Sequence, residues 1–159
     1  PARSEWVERW RAAHPGLAGP FEGDHVFCFA DGFPILVTNH ASLDELNARL
    51  AAQGKPPVSM DRFRPNIVVR GGDWAAFDED HTVLLRAGAA SLALVKPCTR
   101  CPVPDVDPLT GERGDEPGLT LAALHTLDLG VVFGMNAIVA EKQPVILKIG
   151  DPVDISLDF

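Results

Sequence analysis

Apolar residues recur in two rhythms along the chain, one helical and one alternating, and the alternating rhythm dominates. Trp6, Val7 and Trp10 share one face of a stretch that Ser4 can cap and His14-Pro15-Gly16 stops, so the spacing predicts a helix through Ala13. Val26-Phe27-Cys28-Phe29 and Ile35-Leu36-Val37-Thr38 read as strands around an Ala30-Asp31-Gly32-Phe33-Pro34 turn. Ser42 with Glu45 forms a capping box ahead of Leu43, Leu46 and Leu50, and Gly54 with Pro56-Pro57 ends that helix. Ile67-Val68-Val69 is a further strand, followed by a Gly71-Gly72-Asp73 turn. Asp78-Glu79-Asp80 reads as a solvated acidic turn leading into strands at 81–86 and 91–96, joined across Ala87-Gly88-Ala89. Thr120 opens a brief helix bearing Leu121, Leu124 and Leu127. Short strands at 131–133, 137–140, 145–149 and 153–157 complete the pattern, separated by Gly134, Pro144 and Gly150-Asp151-Pro152. Many short strands with two or three short helices predict a mainly β fold, a closed or strongly curled barrel.

Composition narrows the setting. The chain has 159 residues, 46% of them hydrophobic, which suits one compact domain. Fourteen Lys and Arg stand against 22 Asp and Glu, a net charge of −8 that argues against a general nucleic-acid surface. No apolar run reaches the roughly 18 residues of a membrane span, and no basic-then-apolar leader opens the chain. The expectation is a cytoplasmic protein with neither nucleic-acid nor membrane partners. Three cysteines make an odd count in a chain of this size, which argues against a disulfide framework. The chain begins at Pro1 rather than methionine, which suggests a processed chain or a piece of a longer one.

The chemistry is concentrated in Val95-Lys96-Pro97-Cys98-Thr99-Arg100-Cys101-Pro102-Val103. Prolines 97, 102 and 104 predict a rigid loop at the end of a strand, presenting two thiols around a cation. A guanidinium beside Cys101 favours thiolate, the nucleophile and soft-metal ligand. A zinc site would need four ligands, and no second pair follows Cys98-x-x-Cys101. A thioredoxin-like pair would open a helix that Pro102 and Pro104 obstruct. Cys28, in an apolar run, reads as a small core residue. Arg64, between Phe63 and Pro65 and followed by Asn66, is either a surface ion-pair partner or half of a planar-anion site. Of the five histidines, His14, His25, His81 and His125 read as surface or capping residues, and His40 stays open.

Several stretches, taken in order, resemble the MOSC domain family, in particular its branch of mitochondrial amidoxime-reducing components. They are Phe33-Pro34-Ile35-Leu36-Val37, Ala41-Ser42-Leu43-Asp44-Glu45-Leu46-Asn47, Phe63-Arg64-Pro65-Asn66-Ile67-Val68-Val69, Val95-Lys96-Pro97-Cys98-Thr99-Arg100-Cys101, Val106-Asp107-Pro108-Leu109-Thr110-Gly111, Phe133-Gly134-Met135-Asn136 and Ile149-Gly150-Asp151-Pro152-Val153. The resemblance implies a β-barrel that binds the molybdenum cofactor, a mononuclear molybdenum carried by a pyranopterin. It makes Cys101 the metal ligand and catalytic centre and Cys98 a non-ligand. Asp31, Gly32, Phe33, Arg64, Pro65, Asn66, Thr99, Arg100 and Asn136 match cofactor-lining positions, with Arg64 a partner for the phosphate. The implied activity is reduction of N-hydroxylated or related oxidised nitrogen compounds, with electrons from a separate protein because no iron–sulfur cysteine set is present. The alternative is a carrier that delivers the cofactor or holds sulfur on Cys101; a plain structural barrel would leave the ordered motifs unexplained. Two departures stand out. Residues 1–24 read as a helix and linker left of a longer N-terminal region, ahead of a barrel domain at 25–159, and Leu124-His125-Thr126 stands where relatives usually carry an arginine.

Overall fold

A computed structural model describes residues 4–26, 32–71 and 74–158. Its centre is a pair of ten-residue antiparallel strands, β4 (Ala90–Thr99) and β6 (Gly130–Val139), around which the other strands are laid. The described sheet runs β2-β1-β6-β4-β3-β7, where β1 is Ile35–Asn39, β2 Ile67–Val69, β3 Thr82–Ala87 and β7 Val153–Leu157. A two-residue β5 (Thr126–Leu127) pairs with the start of β6. Among the described strand pairs β1–β2 alone is parallel. The sheet curls so that Val69 near one edge, Leu85 and Leu92 of the middle and Ile155 of the other edge share one apolar cluster. The two edges face each other across a cleft of about 360 Å³ lined by Val69, Arg70, Trp74, Asp151, Val153 and Ile155. The expected mainly β, barrel-like architecture is thus present as a curled half-barrel with three helices.

The helices cover what the curl leaves open. On the outer face, α1 (Ser4–Ala13) buries Val7 and Trp10 against Phe21, Phe33, Ala93 and Ile138. At one end, α2 (His40–Ala52) buries Leu43, Leu46 and Leu50 with Phe63, Phe133 and Leu121, the last from α3 (Gly118–Leu124). Each fully buried leucine or phenylalanine contributes about 1.5–3 kcal/mol. No helix among the described residues is long and apolar enough to cross a membrane.

Several expectations are corrected. The cap of α2 is Asn39, whose Oδ1 accepts a 2.9 Å bond from the Ala41 amide; Ser42 lies one turn inside and is buried. Asn39 ends β1 in extended conformation, so one residue closes the strand and opens the helix. Nor does Thr120 cap α3: it is buried in the first turn, where Asp105 Oδ1 accepts from the Gly118 amide and Glu116 Oε2 from Thr120's own. The acidic run is not a solvated turn. It forms a short 3-10 helix (Asp78–His81) in which Glu79 is fully buried, taking 2.8 Å bonds from the Ser42 hydroxyl. Asp80 faces His125 at 2.7 Å, and the His125 ring stacks on Phe77 at 4.0 Å, so His125 is a packed residue and not a surface one. Residues 145–149 form no strand; Ile146 and Ile149 are exposed. Residues 131–133 and 137–140 belong to one continuous strand, bent through Gly134. The strand expected at 26–29, with Cys28, falls largely outside the described residues.

Candidate functional site

The cysteine segment is less loop-like than its prolines suggest. β4 runs through it to Thr99, with register shifts after Leu94 and after Pro97, and Pro97 pairs with Met135. This is tolerated because the β3 pairing of β4 ends at Ala93, leaving β6 as the one described strand beside the proline. Thr99 pairs with Val132 and is exposed, and the Arg100 amide makes the last bond to β6, to the Val131 carbonyl at 2.8 Å. The chain then breaks away, so Cys101 stands just past the end of the ladder with an exposed thiol. Beside it is a small pocket of about 140 Å³ lined by Arg100, Pro102, Pro104, Leu121 and Val131.

The Arg100 guanidinium points inward. It donates to Cys98 Sγ at 3.3 Å and to the Phe63 carbonyl at 3.1 Å, and lies over the Phe63 ring at 5.4 Å. Its Nε is buried without an acceptor. The cation expected to serve Cys101 therefore contacts the other thiol, and its larger effect is to tie the cysteine segment to the Arg64 segment. A second tie lies alongside: Arg62 donates to the Pro104 carbonyl at 3.1 Å and to Asp107 at 2.8 Å. Two motifs separated by some 35 residues of sequence are thereby laced together.

Arg64 follows a 3-10 turn (Met60–Phe63) and takes the left-handed conformation, φ 56° and ψ 48°. That is uncommon for a residue with a Cβ and costs about 1–2 kcal/mol. Its side chain is exposed, and no carboxylate among the described residues pairs with it. Pro65 is half-buried and holds the turn. Asn66 then docks on β1, its amide donating to the Leu36 carbonyl at 3.0 Å and its Oδ1 accepting from the Leu36 amide at 2.7 Å. Leu36 pairs with Asn136 of β6, and Asn136 with Lys96 of β4. Side chains in one cross-strand row share a face, so Leu36, Asn136 and Lys96 lie on the face of the sheet that Trp6 of α1 partly covers, with Asn66 docked at the edge of that row through Leu36. Lys96 is passed over by the sequence reading, although it stands inside the cysteine motif. Gly32 is half-buried; Phe33 is buried in the α1 cluster, leaving only its backbone for a ligand. Asp31 lies outside the described residues.

A cleft of about 650 Å³ lies beside β4 between Trp6, Trp10, Asp80, Pro97 and Met135, and Cys101 does not line it. No three His, Cys, Asp or Glu side chains among the described residues are grouped to hold a metal by themselves.

A family model described as the MOSC domain matches residues 24–154. Mitochondrial amidoxime-reducing component 1 of Mus musculus is 36% identical over 132 residues, covering 79% of this chain and 37% of the mouse protein. A molybdenum cofactor sulfurase of Botryotinia fuckeliana is 31% identical over 135 residues, covering 78% of this chain and 17% of that protein. The chain thus spans well under half the length of these relatives. Among solved structures, YiiM from Geobacillus stearothermophilus shares the fold, with a TM-score of 0.52 at 15% identity over 78% of this chain and 54% of its own. The match over residues 24–154, on a curled half-barrel that carries the ordered motifs, places the chain in the MOSC domain family.

Proposed function

We propose that this domain binds the molybdenum cofactor through Cys101 and serves in an oxidoreductase that reduces N-hydroxylated or related oxidised nitrogen compounds. The observation that carries the reading is the pairing of an exposed thiol just past the β4 ladder with an exposed Arg64 that has no carboxylate partner among the described residues, their segments held together by Arg100 and Arg62. The donor set fits the group: a thiolate suits molybdenum, and a guanidinium suits a phosphate ester. Relatives named for molybdenum cofactor sulfuration and amidoxime reduction support the same chemistry. When bound, the cofactor supplies oxygen-atom abstraction from the substrate nitrogen, and the protein supplies orientation and charge. Cys101 holds the metal, and Arg64 receives the phosphate. Asn136 offers its side-chain amide along the sheet face and Asn66 the Nδ2 left free when its Oδ1 takes the Leu36 amide, with Thr99 and the backbone of Gly32 and Phe33 as further lining; Pro65 fixes the Arg64 turn. Arg100 acts from behind, keeping Cys98 away from the metal and setting the Cys101 backbone. Electrons come from a separate donor protein.

The small size of the pocket beside Cys101, about 140 Å³, favours a second reading, a carrier that retains the cofactor without turnover. Reduction of an N-hydroxylated compound by purified protein with an artificial electron donor separates the two. Turnover lost in Cys101→Ser supports the enzyme; cofactor retention without turnover supports the carrier; a protein with neither cofactor nor turnover contradicts both.

The left-handed Arg64 gives an internal check. Arg64→Gly removes the strain and is expected to leave stability unchanged or raised by about 1 kcal/mol, while cofactor content falls. Thermal unfolding and pterin content, measured on the same sample, read these opposite signs.

A further inference from the structure

The cations around the sheet face are not equivalent. Arg62 is committed to Pro104 and Asp107, and Arg100 to Cys98 and Phe63. Arg64 and Lys96 are not: neither has a carboxylate partner among the described residues. Lys96 Nζ makes only a long 3.4 Å contact to the neighbouring Pro97 carbonyl. It rests over the Trp6 ring of α1, 5.5 Å from the centroid, and Arg9 of the same helix lies 5.6 Å from that centroid. An ammonium held on an aromatic surface keeps its charge while losing freedom, so α1 presents a pre-positioned cation beside Asn136.

Position sets what such a cation can do. Arg64 precedes Asn66 at one end of the row and Lys96 closes the other, with Leu36 and Asn136 between. Three inter-strand steps span about 14 Å, too far for one compact anion to reach both ends. We propose that Lys96, held by Trp6, is a second anion-binding residue of this face, so that the face takes an elongated ligand with an oxyanion-bearing group towards each end. The inference deepens the cofactor reading above and rests on it. Trp6 is a positioning residue, acting through Lys96.

The test is pterin per chain, measured by fluorescence after acid release, in the full natural protein purified natively. Lys96→Met keeps the aliphatic stem and is expected to retain roughly tenfold less pterin, the size of one lost charge-assisted bond. Lys96→Arg preserves the charge and the stack and is expected to retain most of it; Trp6→Leu falls between. With the cofactor removed from both, the unfolding midpoint of Lys96→Met is expected to fall below the parent's by no more than the loss of the Trp6 stack accounts for, because the side chain makes no ion pair. Parent-level pterin in Lys96→Met, with loss in Arg64→Ala, overturns the inference and leaves the cofactor reading standing. Equal loss in Lys96→Arg and Lys96→Met also overturns it. A parent chain without pterin overturns both.

Discussion

A Gly134→Ala chain is expected to lose about 2–4 kcal/mol of stability, the sum of a positive-φ penalty and a steric overlap. Gly134 sits in the middle of β6 at φ 78°. A Cβ there would meet the Val37 carbonyl oxygen at 2.6 Å and Thr38 Cγ2 at 2.8 Å. The first obstacle is backbone, so neither a rotamer change nor a small side-chain shift relieves it. β1 and β6 must separate or slide at the Val37–Met135 pair, next to the one in which Leu36 faces Asn136. Equilibrium urea unfolding reads the loss, and the cofactor content of the surviving folded protein should fall with it. An alanine variant as stable as the parent would mean that the close approach of β1 to β6 is not real.

The second large effect depends on pH. Glu79 is fully buried under the first turn of α2, and burial pushes its carboxyl from the ordinary 4.5 to about 7, despite the Ser42 hydroxyl that favours the charged form. A raised carboxyl pKa stabilises the fold fully only below the unfolded value, where both states are protonated. As pH rises through the interval between the two values, the unfolded chain ionises first and stability declines; above about 7 the loss is complete. Its size is at most about 3 kcal/mol. Glu79→Gln keeps the volume and an acceptor for Ser42 but cannot ionise. Urea unfolding should show variant and parent equal in acid, diverging as pH rises, with the variant more stable at pH 8 by up to that amount. Parallel curves across the whole range would contradict a buried, ionisable Glu79.

Much of the fold is legible in local pattern, for a physical reason. The helix at Ser4–Ala13 follows from Val7 and Trp10 on one face, and β1, β2 and β7 from β-branched runs that find partners nearby. Residues 145–149 have the same composition and are no strand, because a strand exists only when a partner edge is beside it. Glu79 looks solvated among three acids in sequence; a hydroxyl 37 residues away makes it buried. In the site, the motifs mark Cys101, Arg64 and Asn66 at once. They do not show that the Arg100 fork closes on Phe63 and Cys98, nor that Lys96 shares a row with Asn136, since both depend on strand register.

The central claim is that one thiol, Cys101, holds molybdenum. Metal and pterin analysis of natively purified parent, Cys98→Ser and Cys101→Ser proteins tests it most directly. Molybdenum and pterin are expected to approach one per chain in the parent and in Cys98→Ser, and to be lost in a Cys101→Ser protein that remains folded. Molybdenum retained by Cys101→Ser, or zinc in place of molybdenum in the parent, would contradict it.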